Sequence, residues 1–179
     1  LTVLKSAKKI DCNLIAFSSG GKIEKFCKNN QITYRKIPLF HSPRASLINF
    51  AYTIIKILNS ILPIEKKDIM ESLNELENLK KQIDSCNLSN SNPSLNLAKW
   101  ISGIPIIYYP YGLQSAAIRF KSSLQENAKT HVIMEDVIET CHNGIVSWER
   151  PSIVQPILLQ GEEDYIKTPI SVLRYITEL

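Results

Sequence analysis

The stretch CNLIAFSSGGKIEKFCKNNQITYRKIP does most to limit what this chain can fold into. Its opening apolar run is short and continuous, the signature of a strand buried on both faces. Gly20 and Gly21 follow, then Ile23, Phe26 and Cys27 recur at helical spacing, and a second short run closes at Pro38. Strand, helix and strand joined by links this short build a doubly wound parallel α/β sheet.

The same rhythm returns later. SLNLAKWISG reads as a helix ending at Gly103, IPIIYYP as a strand, and LQSAAIRFKSSLQENAK as a helix with Leu113, Ala116, Ala117, Phe120 and Leu124 on one face. THVIMEDV is a strand, ETCHNGIVSWE a short helix, IVQPILLQ a strand, and TPISVLRYI the opening of another helix. Between the two α/β stretches lie two helical patterns. Ser42 stands as the N-cap and Pro43 at the first position of the first, which carries Leu47, Phe50, Ile54, Ile57 and Leu58 as a buried amphipathic face. The second, EKKDIMESLNELENLKKQI, repeats Ile69, Leu73, Leu76, Leu79 and Ile83. The polar NLSNSNPS then marks the best internal boundary. The expected organisation is residues 1–62 as one α/β unit, 63–92 as a helical bridge with its linker, and 93–179 as a second unit, both units incomplete.

Composition removes several function classes. Of 179 residues 44% are hydrophobic and 21% charged, enough for one sizeable core or two small ones. The most apolar run, LINFAYTIIKILNSILPI, is interrupted by Asn49, Lys56 and Asn59, so no membrane span is expected. A net charge of +4 suits small anions such as phosphorylated metabolites. Lys and Arg are scattered without interleaved aromatics, which speaks against nucleic acid. The four cysteines, Cys12, Cys27, Cys86 and Cys141, form no CxxC pair and read as reduced cytosolic thiols. Cys141 and His142 with His131 lack the two close ligand pairs of a zinc site, so no metal is expected.

Some residues stand where chemistry could use them. Gly20-Gly21 either lets backbone N–H groups approach a phosphate or simply permits a tight bend. Arg44 sits in a first helical turn, where the helix dipole disfavours a cation; it is either an ordinary surface arginine or one with an anion partner. Glu126 lies where a helix runs out before a strand, and His142 where a strand has passed into the next helix. Open α/β sheets bind ligands at the carboxyl ends of their strands, which suits His142 and counts against Glu126 unless the site lies between subunits.

SSGGKIEKFCK, PRASL, QENAKTH and ETCHNGIVSWE, in that order, resemble the archaeal-type bifunctional phosphoglucose/phosphomannose isomerases, which are built from two sugar isomerase (SIS) domains. The resemblance covers nearly the whole chain. It implies an aldose–ketose isomerase that interconverts glucose 6-phosphate, and mannose 6-phosphate, with fructose 6-phosphate. The family's base falls on Glu126, its ring-opening histidine on His142, and the arginine that stabilises the enediolate on Arg44. It also implies a cytoplasmic homodimer with shared active sites, His142 coming from the neighbouring subunit, and no cofactor. These residue types suit the reaction: a carboxylate moves the proton, an imidazole serves the ring oxygen, and a fixed cation meets the developing oxyanion.

The chain departs from the family's His-Asn-Glu at Gly144. The resemblance places the phosphate-binding serines and threonine before Leu1 and a catalytic lysine beyond Leu179, so the 179 residues alone are expected to be inactive. A non-catalytic phosphosugar-binding SIS module, or an SIS isomerase for another sugar phosphate, is the alternative. The former needs no base at Glu126.

Overall fold

The computed structural model describes residues 1–10, 12–40 and 42–161. The chain falls into two compact units, the first Leu1–Glu77 and the second from Asn78 on.

In the first unit α1 (Thr2–Ala7) precedes β1 (Ile15–Ser18), α2 (Gly21–Asn29) and β2 (Thr33–Lys36). β1 and β2 pair in parallel with Ile15 opposite Thr33 and Ser18 opposite Lys36. The turn into α2 explains the glycine pair: Gly20 has φ 136° and Gly21 φ 74°, a region that side chains with a β-carbon avoid. Ser18 Oγ accepts the Gly20 N–H, and its carbonyl receives Tyr34 Oη–H at 2.9 Å, so the strand end is tied to its neighbour. Ala16, Cys27 and Ile37 are the buried apolar residues here.

The next stretch differs from expectation. Ser42 does not cap a helix through its side chain; Pro43–Ser46 form a 3₁₀ turn, and α3 (Leu47–Ile57) begins only after it. The Ser42 hydroxyl is buried without a partner. The expected apolar face of α3 is only partly buried: Leu47 and Ile54 are exposed, and Phe50, Ile57 and Leu58 half-buried. α4 (Lys66–Gln82) crosses from one unit to the other and leaves Met70, Leu73, Leu76 and Leu79 open. Tyr52 Oη and Ser72 Oγ, 2.7 Å apart, join α3 to α4.

The second unit is the better packed. Its linker is not slack: Asn92 is buried, its Oδ1 accepts the Ser94 and Leu95 N–H groups, and its Nδ2 donates to the Asn87 carbonyl. That caps α5 (Pro93–Trp100), with Pro93 at the favoured first position. β3 (Ile104–Tyr109), α6 (Gln114–Ser123), β4 (Ile133–Asp136), α7 (Val137–His142) and β5 (Val154–Leu158) follow. The three strands are parallel in the order β4-β3-β5. Alternate residues of β3 feed two cores. Ile107 and Tyr109 pack with Ala117 of α6 and Val132; Ile106 and Tyr108 pack with Val137 of α7 and with Trp148. Helices on both faces of a parallel sheet make this the expected doubly wound unit. Pro105 is tolerated in a central strand because pairing with β4 starts only at Ile106. The expected helix TPISVLRYI lies outside the described residues.

Gln155 ties β5 to the entry of β3. Its Oε1 accepts the Ser102 and Gly103 N–H groups, both at 2.6 Å, and its Nε2 donates to the Trp100 carbonyl at 3.1 Å. A β-carbon on Gly103 would stand 1.9 Å from the Ile153 carbonyl oxygen, so this close approach of two backbones needs glycine.

Candidate active site

α6 does not end as an ordinary helix. Its last turn, Leu124–Ala128, is a π-helix, and Lys129 follows in the left-handed region at φ 57°. The wider turn carries Glu126, exposed, at its centre. Asn127 Nδ2 donates to the Ser123 carbonyl at 2.9 Å, and Lys129 Nζ reaches the carbonyl of Glu126 at 2.7 Å. Sequence periodicity carries no signal that separates this π turn from plain helix; such single turns are common at functional sites.

On the other side of β4, Asp136 caps α7 by accepting the Ile138 N–H at 2.8 Å. His142 is the last residue of this short helix and is exposed. Beyond it Gly144–Glu149 form a 3₁₀ helix that carries Trp148 onto Tyr108, whose hydroxyl accepts the indole N–H at 3.0 Å. Burial holds the Tyr108 hydroxyl above its ordinary range despite that hydrogen bond, and burial likewise pushes the Cys141 thiol up.

A cleft of about 590 Å³ opens at the carboxyl ends of β3 and β4, between Tyr109, Glu135, Asp136, Thr140, Asn143 and Ser147. This is where a doubly wound sheet places its ligands. Glu135 and Asp136 went unremarked in the sequence, although two acidic residues closing an apolar strand were the available signal. The Thr140 hydroxyl lies 3.1 Å from Glu135 Oε2 and 2.8 Å from the Asp136 carbonyl. Position 144 belongs to the same arrangement. A β-carbon there would stand 3.1 Å from both Glu135 Oε2 and Thr140 Cγ2. The glutamate that the resemblance calls for would bring a second carboxylate against the first, so the carboxylate beside the His142-Asn143 turn is that of Glu135.

Of the three residues singled out in the sequence, Glu126 stands on the π turn that precedes β4 and His142 ends the helix that follows it, both in the second unit. The cleft takes Asn143 and Gly144 into its wall but neither His142 nor Glu126. Arg44 lies in the 3₁₀ turn of the first unit. Among the described residues no group of three His, Cys, Asp or Glu side chains could hold a metal ion, and no helix is long and apolar enough to cross a membrane.

Residues 90–178 match the family model of the bacterial phospho-glucose isomerase C-terminal SIS domain. The bifunctional phosphoglucose/phosphomannose isomerase of Aquifex aeolicus is 25% identical over 92% of this chain and 50% of its own length. That of Caldicellulosiruptor bescii is 27% identical over 95% of this chain and 52% of its own. The chain thus spans about half the length of the curated relatives it matches. Among solved structures, the C-terminal domain of glucosamine-fructose-6-phosphate aminotransferase from Francisella tularensis superposes with a TM-score of 0.47 at 14% identity, over 97% of this chain and 60% of that one. Residues 90–178 thus belong to the SIS-domain family of the bacterial phospho-glucose isomerases, and the described part of that span, to residue 161, is a parallel sheet wound on both faces.

Proposed function

We propose that these residues serve an aldose–ketose isomerase that interconverts glucose 6-phosphate, and mannose 6-phosphate, with fructose 6-phosphate through an enediolate. The observation that carries the reading is Glu126 on a π turn, inside a segment that matches an isomerase's SIS domain. In this reading Glu126 takes the proton from C2 and returns it at C1. His142 serves the ring oxygen, and Arg44 meets the charge that develops on the enediolate oxygen. No cofactor enters the reaction.

Glu126 and His142 are both exposed in a single copy. A carboxylate base gains strength from desolvation, and an oxyanion is best stabilised away from water. The covering surface is therefore assigned to a second subunit, which makes the working unit a cytoplasmic homodimer with shared sites. The relatives' greater length supports placing the phosphate cradle and the remaining catalytic groups outside these 179 residues, which alone are inactive in this reading.

The test uses the longest reading frame that contains these residues. Fructose 6-phosphate formation is followed from glucose 6-phosphate and from mannose 6-phosphate, with wild type beside Glu126→Gln. Loss of about 10²–10⁴-fold in turnover, with phosphosugar binding kept, is the expected result for removal of a general base. Binding without turnover in the wild type would instead establish a phosphosugar-sensing module, the alternative for which Gly144 in place of a glutamate leaves room.

A further inference from the structure

The first unit holds a second cleft that this reading does not use. It measures about 650 Å³ and lies between the carboxyl end of β2, which gives Arg35 and Lys36, and one face of α3, which gives Asn49, Tyr52, Thr53 and Lys56. Its wall carries three cations and no carboxylate. Among the described residues the ion pair is Lys28 with Glu24, at 2.8 Å, so no cation of the cleft is in one. Neither Lys36 nor Lys56 has a hydrogen-bond or ion-pair partner there. Arg35 makes only a long contact, 3.4 Å, to the Tyr34 carbonyl, and Tyr52 keeps its hydroxyl on Ser72.

Three like charges around one concavity repel one another and weaken the folded state unless an anion joins them. The position is also the one an α/β unit offers to ligands, beyond the carboxyl end of a parallel strand. Asn49, Thr53 and Lys56 share one helix face by their spacing, which places an amide and a hydroxyl beside the cations. A phosphomonoester dianion matches this set: its oxygens accept charge-assisted hydrogen bonds from the guanidinium and the ammonium groups, and its polar body meets the amide and hydroxyl. We propose that the cleft of Arg35, Lys36 and Lys56 binds the phosphate group of a small phosphorylated molecule. The isomerase reading, on which this inference does not depend, places the substrate's own phosphate cradle outside these 179 residues, so the ligand here is a phosphorylated molecule held at a second site.

The test is a calorimetric titration of the 179-residue chain with inorganic pyrophosphate and with glucose 6-phosphate. It is repeated on Lys36→Gln and Lys56→Gln, and on Lys67→Gln as a control at an exposed helix position that does not line the cleft. Loss of one charge-assisted contact is expected to weaken binding about tenfold in each cleft variant and to leave the control unchanged. Both cleft lysines are exposed, and circular dichroism shows whether the variants keep the fold. Glucose 6-phosphate held more tightly than pyrophosphate makes a sugar phosphate the ligand of this second site; the reverse makes it a phosphate without a sugar. No binding, or the same loss in Lys67→Gln as in the cleft variants, overturns the proposal. Glu126→Gln separates the two readings: it abolishes turnover in the longer protein and leaves this titration untouched.

Discussion

Gly103 shows how much one absent methyl group can matter. The Ile153 carbonyl occupies the place its β-carbon would take, and the Gln155 amide fastens the same corner. Gly103→Ala is expected to cost about 1–3 kcal/mol, the range for overpacking, or more because the obstacle is backbone; urea unfolding followed by circular dichroism measures it. Tyr108 makes a prediction of a different kind. Its hydroxyl pKa is raised by burial, so the neutral form is favoured in the fold. The stability it contributes is fully present below the ordinary phenol value, about 10, and is lost as pH rises through the higher folded value. Denaturation midpoints should therefore fall more steeply above about pH 10 in the wild type than in Tyr108→Phe. Equal slopes would assign the alkaline loss to other groups. At this scale the sequence offers residue types and their order but no contacts. Glu126, His142 and Arg44 could be picked out by motif, but nothing in the letters said that Glu135 fills the space beside Gly144, because that contact joins a strand end to a turn through the fold.

Among the elements, the strands were the most legible. A buried parallel strand needs an apolar run bounded by turn residues, and IPIIYYP supplies both and is buried, whereas CNLIAFSS forms its strand with only Ala16 buried. Helix starts were read less well, because a capping side chain competes with local geometry. Ser42 has the right identity yet opens a 3₁₀ turn, whereas Asn92, read as part of a loose linker, is the cap that works. Asn92 satisfies two N–H groups of α5 and is 5% exposed. Asn92→Ala should cost about 2 kcal/mol, the upper end for a cap, since burial leaves those donors without water. A chemical denaturation midpoint unchanged from wild type would show that the linker holds α5 by other means. The π turn at Leu124–Ala128 was beyond sequence reading altogether, since its residues are ordinary helix formers.

For the molecule as a whole, the alternation of strand and helix is enough to infer a doubly wound sheet, and the second unit has it. What alternation cannot carry is burial. The apolar residues of α3 and α4 keep helical spacing yet many lie open, because periodicity records which residues seek a partner and not which chain supplies it. The homodimer of the proposed function can be tested directly at this scale. In the longer protein, Glu126→Gln and His142→Ala subunits, each inactive, are mixed after mild dissociation. Shared sites predict recovery to about a quarter of wild-type activity, since half the dimers are mixed and each of those rebuilds one of its two sites. Recovery near zero would show that each site uses a single subunit.

The hydrogen bond from the Trp148 indole to the Tyr108 hydroxyl has a practical corollary. Trp148 is part-buried beside Glu135 and Ser147, which also line the cleft at the carboxyl ends of β3 and β4, whereas Trp100 is exposed. The chain therefore carries two fluorophores in unequal surroundings. Iodide would quench Trp100 first, and the emission left behind would report from the edge of the cleft itself. Occupancy there becomes readable as a colour change, without a label and without turnover.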